Sequence, residues 1–131
     1  MLRRRRLPSD LAPAQVAFQG VLQLVEGAKE AVVDAMPRAR APGRALGEAL
    51  FELEEALREA QGVMDGWWHP AVAAEWDECS KGLRESLRRA EELRLEAPEL
   101  SFDAMAFTVQ DLISPLEPFE AAALRLRSLR I

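Results

Sequence analysis

Two pairs of carboxylates give the sequence its clearest hint of chemistry: Glu52-x-x-Glu55 and Glu75-x-x-Glu78. His69 is the only imidazole and Cys79 the only thiol. One of each excludes a multi-histidine metal site, a cysteine-based zinc site and an internal disulfide. A Ser/His/Asp relay would have to run through His69, and nothing places a serine beside it. His69 precedes Pro70, so its expected role is a helix N-cap or a solvent-facing turn group. Cys79 falls on an apolar seam and is expected to be buried and unreactive. A di-iron bundle needs Glu-x-x-His units, but position 66 is glycine. There is no glycine-rich phosphate loop and no strand for one to follow. No catalytic residue, metal ligand or cofactor is therefore assigned.

The two acidic pairs resemble the paired motifs of the all-α nucleotide pyrophosphohydrolases of MazG type. The resemblance covers these four residues and departs at Glu78, where that family's second motif ends in Asp. It implies carboxylates from neighbouring helices holding magnesium, and hence four side chains meeting within about 5 Å of a common point. The spacing argues otherwise. Glu52 and Glu55 flank Leu53, off the apolar seam of their helix, and are expected to face water.

A second cluster could bind anions. Arg3, Arg4, Arg5 and Arg6 run in a row, Arg125, Arg127 and Arg130 close the chain, and Trp67 and Trp68 stand next to His69. Arginines beside exposed tryptophans suit phosphate, nucleic acid or an acidic membrane surface. The plainer expectation is that Trp67, in phase with the seam before it, closes the core, that Trp68 covers it from outside, and that the arginines are solvated.

These residues are set by helices. Leu11, Phe18, Val25 and Val32 recur every seven residues, as do Ala14, Val21, Ala28 and Ala35, which predicts a first helix from Ser9 or Asp10 to about Met36. Pro37, Pro42 and Gly43 mark a turn. Leu46, Leu50, Leu53, Leu57, Ala60, Met64 and Trp67 alternate spacings of four and three, predicting a second helix over 44–65. A third, over 70–96, has the seam Val72, Trp76, Cys79, Leu83, Leu87, Ala90 and Leu93 or Arg94, with Pro70 at its first position. A fourth runs from a cap at Ser101 to about Leu129, kinked or split near Ser114–Pro118, because the heptad phase survives across Pro115 and Pro118. Short turns between rods of this length predict an all-α, antiparallel up-down-up-down four-helix bundle. It forms one domain over 9–131 after a basic segment, 1–8. Both termini and the second connection then share one end, which would gather the arginines and tryptophans. Gly20 and Gly27, seven apart, are expected to admit a neighbouring helix closely, with a ligand slot on that face as the alternative.

The chain has 131 residues and a net charge of −5, with 30% charged and 49% hydrophobic residues. That suits one globular domain and excludes a disordered tail. No apolar run is long enough to span a bilayer. The charge is uneven. Residues 1–44 carry eight bases and four acids, whereas residues 45–100 carry six bases and fourteen acids. A sequence pI near 5.0 argues against general nucleic-acid binding. Fifteen arginines against two lysines suggest a bacterial, GC-rich source, and the lack of a clean secretory pattern suggests the cytoplasm. The first helix is apolar on more than one side, so Val16, Leu22, Leu24 and Val33 are expected at a homodimer or partner-protein interface. The expected function is a non-enzymatic helical interaction module. Anion binding is the alternative, and a MazG-like hydrolase the more remote one.

Overall fold

The computed structural model describes residues 11–35, 44–96 and 102–129. They form an all-helical bundle of four rods. Helix α1 is Ala12–Ala35 and α2 is Arg44–Gly62. Two 3-10 turns, Met64–Trp67 and Pro70–Val72, lead to α3, Ala73–Glu96. The fourth rod is α4, Phe102–Ile113, a 3-10 turn, Ser114–Leu116, and α5, Pro118–Ser128. The expected caps at Ser9, Asp10 and Ser101, and the turn at 37–43, lie outside the described residues.

The heptad seams are the core. Leu11 and all seven seam residues of α1 are buried, as are Leu50, Leu53, Leu57, Ala60, Met64 and Trp67 from α2 and its extension. Leu93, not Arg94, continues the α3 seam, while Trp76 and Leu87 are only partly covered. Phe18 meets Trp67 edge-on at 4.8 Å and stacks near Phe119 at 6.3 Å, within the range of favourable aromatic pairs.

Contacts between rods reveal their direction. Glu54 and Arg58 of α2 meet Arg94 and Glu91 of α3 respectively, so one number rises as the other falls. The same inversion links Glu75 to Arg125 and Ser86 to Leu112. Both pairs are therefore antiparallel. The start of α1, at Ala17 and Phe18, meets the end of the second rod at Gly66 and Trp67. Helix α3 packs on α2 and along the whole fourth rod, whereas α1 packs chiefly on α2 and Met64–Trp67.

The fourth rod bends where the prolines require it. Pro115 has no N–H for the carbonyl of Asp111, four residues back. Arg89 of α3 supplies a donor instead, its Nη1 lying 2.6 Å from that oxygen. Ser86, fully buried on α3, donates its hydroxyl to the neighbouring Leu112 carbonyl at 2.7 Å. Ser114 donates to the Gln110 carbonyl at 3.1 Å. Pro118 in turn cannot serve the Ser114 carbonyl, which takes the Glu117 N–H at 3.1 Å in a 3-10 turn. The bend also lowers the Pro115 carbonyl onto Gly82. A Cβ on Gly82 would lie 1.9 Å from that oxygen.

One expectation is corrected here. Gly20 and Gly27 admit no neighbouring helix among the described residues, since an added Cβ at either would meet nothing there within 4 Å. Beside the seams, the core also encloses two polar residues, Glu54 and Ser86.

Gly82→Ala should therefore be severely destabilising. A methyl group facing backbone cannot be accommodated by a rotamer change, so the cost should reach or exceed the about 3 kcal/mol typical of overpacking. Thermal unfolding followed by circular dichroism should show a loss of about 10 °C. Gly20→Ala, on an open helix surface, should instead raise the midpoint slightly.

Candidate functional site

The acidic pairs do not form a metal centre. Glu52 and Glu55 are exposed on α2, Glu78 is exposed on α3, and Glu75 is held 3.5 Å from Arg125. No group of three or more His, Cys, Asp or Glu side chains among the described residues could hold a metal ion. The convergence implied by the resemblance to MazG-type enzymes is absent there. The cause is the helical phase: Glu52 and Glu55 fall off the seam that Leu53 occupies and stay exposed, whereas Glu54 between them is enclosed.

The Trp-rich end separates into three roles. Trp67 is fully buried, with Nε1 3.2 Å from Met64 Sδ, so it is a core side chain with no surface to offer an anion. Trp68 remains half exposed. Trp76, half-buried at the start of α3, donates Nε1 to the Met64 carbonyl at 2.8 Å and ties α3 to the turn below α2. His69 Nδ1 accepts the Ala71 N–H at 3.0 Å, capping the turn that Pro70 opens. Of the arginines, Arg125 pairs with Glu75 and Arg127 is exposed, while Arg3, Arg4, Arg5, Arg6 and Arg130 lie outside the described residues. The pairing puts the start of α3 and the end of α5 at one end of the bundle, which Phe18 shows to be that of the start of α1 as well.

The candidate interface on α1 divides. Leu22 and Leu24 are partly buried and pack against the bundle's own core. Val16 and Val33 are exposed by 74% and 54%, but the surface between them carries Gln19, Gln23, Glu30 and the open Gly20 and Gly27. The four do not make one apolar patch. The larger exposed side chains lie on the other rods: Phe107 of α4, Leu95 of α3, Leu124 of α5 and Phe51 of α2.

Sequence reading missed one ionic element. Glu54 is wholly enclosed between α2 and α3, and Arg94 grips both its oxygens, Nε to Oε2 at 2.5 Å and Nη2 to Oε1 at 3.2 Å. Arg58 Nη2 lies 3.6 Å from the same carboxylate and 2.9 Å from Glu91. Hydrogen bonding to Glu54 raises the Arg94 pKa, keeping it charged. A buried carboxylate requires such partners, so this network is a clamp between two helices rather than an open reactive group. The available sequence signal was Arg58, four residues after a glutamate that adjoins the seam.

Two titratable groups are shifted with clear causes. Burial pushes the Cys79 thiol up to about 12, reinforced by the charges of Glu75 and Glu78. Hydrogen bonds from Arg88, then Arg89, bring Glu85 down to about 2 from an ordinary 4.5. Arg88 also reaches Glu92 at 2.6 Å, making an exposed ladder along α3.

No family model matches the chain, and neither a curated protein nor a solved structure shows significant similarity to it.

Two outcomes follow from these shifts. Cys79 should resist iodoacetamide at pH 8 in the folded protein and react only after unfolding, with mass spectrometry as the readout. Glu85 has a depressed folded pKa, so its contribution to stability is present above about 4.5 and disappears as pH falls toward 2. Thermal melts of Glu85→Gln should fall below wild type at pH 7 and converge with it near pH 2, with a smaller gap in high salt because the ladder is exposed.

Proposed function

We propose that the chain is a non-enzymatic helical interaction module, which self-associates or binds a partner protein. The observation that carries this reading is the surface placement of large apolar side chains on a domain whose own seams are already filled. Phe107 and Leu95 are exposed by 79% and 78%, and Leu124 by 62%. Single exposed apolar residues are ordinary. A phenylalanine presented almost fully to water on a short helix gains most from being covered, by roughly 2 kcal/mol for its side chain. The buried polar groups, Glu54 and Ser86, are spent on holding rods together, which favours binding over catalysis. Among the described residues no helix is long and apolar enough to cross a membrane.

Association should be visible by light scattering coupled to gel filtration. At about 100 μM the protein should exceed its monomer mass of 14.6 kDa. Phe107→Ser with Leu95→Ser should return it to monomer while shifting stability by only about 0.5 kcal/mol, as expected for surface changes. A strict monomer at that concentration removes the self-associating form. The partner-binding form is removed if the same double variant captures the same proteins from its host's lysate as wild type.

A further inference from the structure

We draw no further inference here: the strongest candidate, the surface patch on α2 where the exposed Phe51 stands beside a depression that Gly47, Glu52 and Arg94 also line, is an unpartnered face, and nothing in the structure shows what covers it.

Discussion

The fold depends on one constraint: a helix carrying Pro115 and Pro118 must find donors for the carbonyls those rings leave unserved. A carbonyl without a partner is costly where water is excluded, and the packed face of α3 brings donors to this stretch of the fourth rod. Arg89 of α3 serves the Asp111 carbonyl that Pro115 leaves, Ser86 serves the neighbouring Leu112 carbonyl, and glycine at position 82 leaves space for the lowered Pro115 carbonyl. Shape and hydrogen bonding are therefore matched at the same turn of α3. The rest of the bundle is built around that match, since α3 is the rod that touches both α2 and the full length of α4 and α5.

Each side of α3 uses a different kind of bond. Toward the fourth rod it offers neutral and cationic donors to main-chain oxygens. Toward α2 it offers Arg94 to the enclosed Glu54, with Arg58 and Glu91 continuing the network. Breaking such a pair by removing one partner is more harmful than replacing both with apolar groups. The solvent face of α3 carries the ladder of Glu85, Arg88, Arg89 and Glu92. Arg89 belongs to two of these systems, since it holds Glu85 and also reaches the Asp111 carbonyl.

Much of the architecture could be read from the residues. Seven-residue repeats located all four rods, and the surviving phase across Pro115 and Pro118 located the bend. Trp67 in the core and His69 as a cap both followed from their position relative to a seam and a proline. What could not be read was anything that depended on the partner surface. Glu54 looks like a flank residue on its own helix, and only the approach of α3 widens the buried wedge to include it. Gly82 looks like a weak point in a helix until the Pro115 carbonyl arrives. Gly20 and Gly27 carry the same composition signal as Gly82, yet they face open space, so glycine spacing alone does not identify where helices meet. The candidate site was legible mainly by exclusion: the carboxylate pairs fell off the seam and did fail to converge, whereas the exposure of Phe107, in a heptad row's neighbouring position, had no distinct signal.

The prolines at 115 and 118 also act on the chain before it folds. A pyrrolidine ring fixes one backbone dihedral in every conformation, folded or not, and each restricts the residue preceding it. The denatured ensemble of 114–118 is therefore narrower than that of an ordinary stretch, an effect worth about 0.4–1 kcal/mol per ring where the native geometry already suits it. The helical hydrogen bonds that the fourth rod forgoes are offset in part by conformational freedom it never had to lose.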